Sequence, residues 1–213
     1  MKKVILSIAI CTCFIVSACS NHQSSENTMK DSENAAAQPN VEVKPYKEPL
    51  SHEGQTAPHP LGVFTLKQIS EPKVGVQVGP LHIDVQKIKV VQSKEVSEVG
   101  KYNLQQRSLP TNEMNAIQFT TTIENVSDQP LDLGKGPIKK LLLSNGESVD
   151  VYKMNADPKN IHLQAKEKET YTLICFLSKA PNPLTYIKIT TNTVQEQDTK
   201  KQVVSPHTKE IKL

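Results

Sequence analysis

The sequence predicts an all-β sandwich following a long polar segment, and three observations lead to that fold class. From Leu61 onward, short stretches of alternating apolar and polar residues recur, separated by Gly, Pro and Asn turns. No long amphipathic helical period interrupts them. Asn145-Gly146 lies between two apolar runs, the strongest short-range hairpin signal a sequence offers.

At the N-terminus, Lys2 and Lys3 precede an almost unbroken apolar run from Val4 to Val16, and small Ser17 and Ala18 lead into Cys19. A positive start, an apolar run too short for a comfortable span and a small-residue exit make residues 1–18 a secretory signal. Val16-Ser17-Ala18-Cys19 resembles the lipobox of bacterial lipoproteins. That resemblance implies that Cys19 receives a diacylglyceryl thioether and becomes the first residue of the mature protein. Two acyl chains hold stably where one holds only reversibly, each buried methylene contributing about 0.8 kcal/mol. No other apolar run approaches the ~20 residues of a membrane helix. The expected location is the extracytoplasmic face of the cell membrane, anchored without spanning it.

Residues 19–60 then read as lipidated cysteine and disordered tether. They hold Pro39, Pro45, Pro49, Pro58 and Pro60, an Ala35-Ala36-Ala37 tract, and three Lys against six Asp and Glu. Without an apolar period such a segment cannot offset its ordering entropy by burial. As a coil it reaches roughly 35 Å.

The β domain is expected over residues 61–213. Val63 to Leu66 is the first strand, and Pro72-Lys73-Val74-Gly75 and Val78-Gly79-Pro80 mark turns. Leu81, Ile83 and Val85 alternate with polar residues, and the apolar set then changes parity to Ile88 and Val90, which predicts a bulge near Lys87. Lys94 to Glu113 is polar and reads as a long, partly helical loop. Ile117, Phe119, Thr121 and Ile123 form the next strand, closed by the turn formers of Glu124 to Pro130. Lys139 to Leu143 and Ser148 to Tyr152 flank Asn145-Gly146 as a type I′ hairpin, with Leu142 opposite Val149. Tyr171 to Leu177 is apolar on both faces at its end, as a central strand would be. Tyr186 to Val194 adds another strand, and His207 to Leu213 an edge strand with Ile211 and Leu213 on one face.

Three stretches carry a family resemblance: Gly79-Pro80-Leu81-His82-Ile83-Asp84-Val85, then Ile123 to Pro130, then Leu142-Leu143-Ser144-Asn145-Gly146-Glu147. Together they resemble immunoglobulin-like domains of bacterial lipoproteins and secreted antigens, described as telokin-like or immunoprotective-antigen-like. Leu163 to Thr170 also matches, although family members often carry Gly in that turn and this chain does not. The resemblance spans roughly Val74 to Thr193 and implies an immunoglobulin-like β-sandwich. Its motifs are turns and imply no catalytic chemistry.

Composition limits function further. A net charge of +3 over 213 residues argues against a nucleic-acid partner. Cys11 and Cys13 leave with the signal and Cys19 is committed to lipid, so Cys175 is expected as a free, buried core residue. Ser70-Glu71-Pro72-Lys73 has Ser-x-x-Lys spacing, but Pro72 opposes the helical turn that pairing needs. His52, His59, His82 and His162 show no ligand spacing, and Asp84, Asp128, Asp132, Asp150 and Asp157 match no calcium loop. These are read as solvated or turn residues, and Asn125-Val126-Ser127 as turn chemistry. Neither metal nor cofactor is expected, and the chain is not read as an enzyme. Lys135, Lys139 and Lys140 lie on a Gly/Pro loop in a domain with 20 basic and 16 acidic residues. They are a solvated face or an anion-binding patch toward headgroups or wall polymers. The resulting expectation is a monomeric, non-catalytic binding or accessory module. Its partners would be the membrane, through lipid on Cys19, and an envelope protein or anionic polymer. The alternative is a carrier of a metal ion or small ligand.

Overall fold

A computed structural model describes Lys44 and residues 48–180 and 182–213. The signal segment, Cys19 and most of the expected tether lie outside the described residues. Every described element falls in one unit, Asn40–Leu213.

The larger layer is an antiparallel sheet built on β4 (Leu81–Val96) and β5 (Met114–Asn125), paired along Leu81 to Ser93. On the other edge of β4, β3 (Val74–Val78) covers Leu81 to Val85 and β2 (Gly62–Ser70) covers Ile88 to Val96. β2 and β3 are one strand broken at Glu71-Pro72-Lys73, where proline has no N–H to give the ladder. The break faces the bulge between Val85 and Lys87 in β4, as the change of parity predicts. Val74-Gly75, expected as a turn, belongs to β3. β1 (Thr56–His59) and β10 (Lys168–Leu177) form the sheet's two edges.

β1 corrects the expected tether boundary at Pro60. The Leu66 N–H donates to Gln55 O and the Gly54 N–H donates to Leu66 O, both at 2.9 Å, and Ala57 is buried beside Phe64. Pro58 is tolerated because it sits on an edge.

The second layer holds two smaller antiparallel sheets. One contains β7 (Ile138–Leu143), β8 (Ser148–Asp150), β11 (Tyr186–Thr191) and β14 (Thr208–Lys212). The other contains β6 (Leu131–Asp132), β9 (His162–Leu163), β12 (Val194–Glu196) and β13 (Gln202–Val204). Inward residues of both layers, among them Ile83, Ile117, Phe119, Leu141, Ile187 and Ile189, form the main core. The chain is therefore an all-β sandwich, as predicted from the sequence, and β14 takes the expected edge with Ile211 buried.

Local details depart from the sequence reading. At Asn145-Gly146 only Gly146 has positive φ, at 80°. The Gly146 N–H donates to Leu143 O, and the Leu143 N–H donates to Glu147 O, closing a three-residue loop of type I turn plus glycine bulge. Leu142 consequently faces Ser148, and Leu141 faces Val149. The strand stops at Asp150, whose carboxylate accepts from Lys153 N and caps α2 (Val151–Met154). Lys166 adopts φ 61° in the turn where the resembled family often has Gly, and its Nζ donates to Val126 O at 2.8 Å.

β10 is an edge strand, not the central strand expected. Its end is apolar on both faces because a second, smaller core covers the outer face there. Phe176, Met114 and Ala116 pack with Leu104 and Leu109, in and just after α1 (Glu98–Gln105). Ser97 caps α1, accepting from Gly100 N, while its Oγ donates to Pro60 O. At Gly100 a Cβ would stand 2.2 Å from Leu61 O, so only glycine lets α1 approach this closely.

Candidate functional site: a polar trench on the sheet overhang

On β4 and β5 the inner face is apolar through Val90 and Ile117, both fully buried. One row further it turns polar. Thr56, Thr65, Gln92 and Asn115 are successive cross-strand neighbours on β1, β2, β4 and β5, with Leu177 of β10 completing the row. Here the large sheet extends past the second layer, whose nearest segment is the loop before β11. Gln68 fastens that loop: its Nε2 donates to Leu184 O and its Oε1 accepts from Leu184 N, both at 2.8 Å.

A groove of about 260 Å³ lies over the row, lined by Thr56, Val63, Thr65, Lys67, Gln92, Lys94 and Glu95. A second, of about 230 Å³, runs on between Lys67, Gln68 and Val90 and the Asn182-Pro183 wall. Lys67 lines both, so together they form a trench. Its floor is held by amides: Gln92 Nε2 donates to Asn115 Oδ1 at 3.1 Å, and Asn115 Nδ2 donates to Glu113 Oε1 at 3.0 Å. Behind the floor, α1 braces the opposite face of the sheet. The site is thus preformed.

Lys67 and Lys94 flank the Thr65–Gln92 pair from opposite ends. Each sits at a β-bulge, Lys67 between Leu66 and Gln68 and Lys94 opposite the Val63/Phe64 step, where the ladder skips a residue. Both are exposed. Among the described residues neither has an ion-pair partner, as is also true of Lys139, Lys140, Lys209 and Lys212, while Lys87, Lys101, Lys166, Lys168, Lys188 and Lys200 each meet a carboxylate. Glu95 lies at the far lip, opposite Val63.

The sequence pattern singles out none of these residues. The available signal is the continuation of the β4 parity, Ile88 and Val90 leading into Gln92 and Lys94. Polar residues at inward positions mark where a sheet leaves its core.

The residues that the sequence does single out lie elsewhere. Lys135, Lys139 and Lys140 line neither groove. Lys135 Nζ sits 5.4 Å from the Tyr152 ring centre, Lys139 occupies the bulge opposite Thr190/Thr191, and Lys140 faces Asp150 across the hairpin. His82 bonds Gln77 and Asp84 at 2.7 and 2.9 Å. Asp132 gathers the Gly134 N–H, Lys200 and His162; burial alone would raise its carboxyl, but these partners together hold it below its ordinary value. Asp128 pairs with Lys166 and Asp157 with Lys159. Asn125 is fully buried, with its amide donating to Gln129 O and Gln164 O and its Oδ1 accepting from Ser127. Ser70 ends β2 and Lys73 turns at φ 48°, so the pair shares no helical turn. Among the described residues no three His, Cys, Asp or Glu side chains gather into a metal-binding group, and no helix is long and apolar enough to cross a membrane.

No protein-family model and no curated protein matches the chain. Among solved structures it is similar to a functionally unknown protein from Listeria monocytogenes EGD-e, with a TM-score of 0.51 and 16% identity over 71% of this chain and 87% of that one. This likeness is one of fold. A conserved hypothetical protein from Bacillus anthracis matches over 64% of this chain and 96% of its own, with 13% identity and a TM-score of 0.37.

Proposed function

We propose that this chain is a bacterial surface lipoprotein, anchored through lipid on Cys19, whose telokin-like sandwich is a non-catalytic binding module. The trench carries the reading: an open polar surface with two lysines that have no ion-pair partner among the described residues, laid over a buried amide floor. Lipobox residues Val16 to Cys19 support the anchor. Contact in an open trench suits a surface ligand better than a carried metal ion or enclosed small molecule, which is the alternative. On this reading the Lys135, Lys139 and Lys140 loop is a solvated face, outside both grooves.

Hydrogen exchange on the lipidated chain with a solubilised envelope-polymer fraction tests the binding role. Protection is expected at residues 62–68 and 90–95, and its loss in Thr65→Arg, which fills the trench floor. Protection of neither stretch by any fraction would remove the trench from the binding role.

A further inference from the structure

We infer that the trench takes a linear, hydroxyl-rich polyanion lying along the strand direction, with Lys67 and Lys94 each holding an oxyanion and the half-buried Thr65 meeting the uncharged middle. This rests on the trench being a binding site and adds the ligand's chemical class. The argument is one of complementarity. Both grooves are shallow and open, with volumes of about 260 and 230 Å³ that hold a segment of a chain better than an enclosed molecule. They meet at Lys67, so a ligand filling both passes that ammonium. Lys94 lies on the other side of the Thr65–Gln92 pair along the strands, at the second bulge.

Between the two cations the accessible lining is the Thr65 hydroxyl over the largely buried Thr56 and Gln92, a polar stretch that places no charge against an alcohol group. Glu95 at the far lip accepts a hydroxyl and disfavours a ligand charged at every position. Among the described residues no aromatic ring lines either groove; Phe64 faces the α1 side of the sheet. Recognition of a neutral sugar by ring stacking therefore has no platform. Phosphodiester-linked polyols and acidic glycans share the required chemistry.

The test uses the full lipidated chain with four probes: a glycerol-phosphate oligomer, an oligogalacturonate, neutral maltohexaose and phosphatidylglycerol vesicles. One or both anionic oligomers should bind, at least ten-fold more weakly when salt rises from about 50 to about 500 mM. Lys67→Gln/Lys94→Gln should lose ten-fold or more, while Lys135→Gln/Lys139→Gln/Lys140→Gln binds as the parent does. Which oligomer binds tells phosphate from carboxylate. Equal binding by parent and double variant overturns the inference, as does loss confined to the triple variant. Maltohexaose protecting residues 62–68 as well as the oligomers overturns the charge assignment and leaves the binding module standing. Because the lipid on Cys19 inserts into vesicles by itself, their arm is read by protection of residues 62–68. Such protection, lost in Lys67→Gln/Lys94→Gln and without binding of either oligomer, makes the trench a membrane contact and also overturns the inference.

Discussion

Cys175 lies fully buried between Leu173 and Leu177, free of any disulfide. Burial pushes its thiol up to about 12; nearby Arg107 opposes the shift and Asp150 adds to it. Tyr171 is likewise raised to about 12, by burial first and then by Cys175 and Asp157. A folded-state pKa above the unfolded one means that the unfolded chain releases the proton first as pH rises. The stability linked to the thiol is thus complete below about 9 and is lost progressively toward 12. Urea midpoints should fall between about pH 8 and 11, and less steeply in Cys175→Ala; identical slopes would deny the thiol this role. A thiol reagent should label the native protein slowly and the denatured protein fast. The burial of Cys175 is legible from the parity of its strand alone. Gln92 and Asn115 are not, because an inward amide and an outward one look alike until the second layer's end is known.

At the next scale, elements are legible where one residue dictates geometry and obscure where pairing decides. Parity locates the β4 bulge, and Asn145-Gly146 locates the hairpin. Its register is not legible, because Asn-Gly serves both a two-residue loop and a type I turn with a glycine bulge. Here Ser144 N donates to Tyr186 O in the neighbouring strand, a tertiary bond that no local pattern encodes. Gly146 remains the critical position. No heavy atom outside the neighbouring residues lies within 4 Å of where a Cβ would stand, so the cost of Gly146→Ala is backbone strain alone, about 1 kcal/mol. Asn145 needs no positive φ, but its Oδ1 accepts from the Glu147 N–H at 2.9 Å, so Asn145→Gly should cost about 1 kcal/mol, as Gly146→Ala does. A gain in stability on thermal unfolding of Asn145→Gly would instead indicate a two-residue loop with positive φ at both positions. The position of β10 in its sheet is hidden for a related reason: α1 covers its outer face, and apolar residues on two faces look the same under a helix as in the middle of a sheet.

For the whole molecule, the decisive sequence features are the proposed anchor and the domain's start. Cys19→Ala should abolish lipid labelling and move the protein from the detergent to the aqueous phase, or leave it uncleaved; unchanged labelling would end the lipoprotein reading. The start is earlier than composition suggests. A chain beginning at Leu61 lacks β1 and Gln55 and uncovers Leu66, which is fully buried in the intact fold. Exposing one leucine costs about 1.5–3 kcal/mol. The melting temperature should therefore fall by several degrees relative to a chain beginning at Asn40, and equal melting would make β1 dispensable.

β1 also determines how the domain would respond to traction. Lys44 N donates to Thr56 O, and Lys89 Nζ donates to Leu50 O, so the N-terminal segment meets the fold at the edge strand. A pull on that segment would load those two contacts, then the Gly54 and Gln55 bonds to Leu66, and only then the Thr56–Thr65 pair of β1. Thr56 is also a wall of the trench. Tension that stripped β1 from β2 would therefore take away one side of the groove while the core residues shared by the two layers lie on other strands.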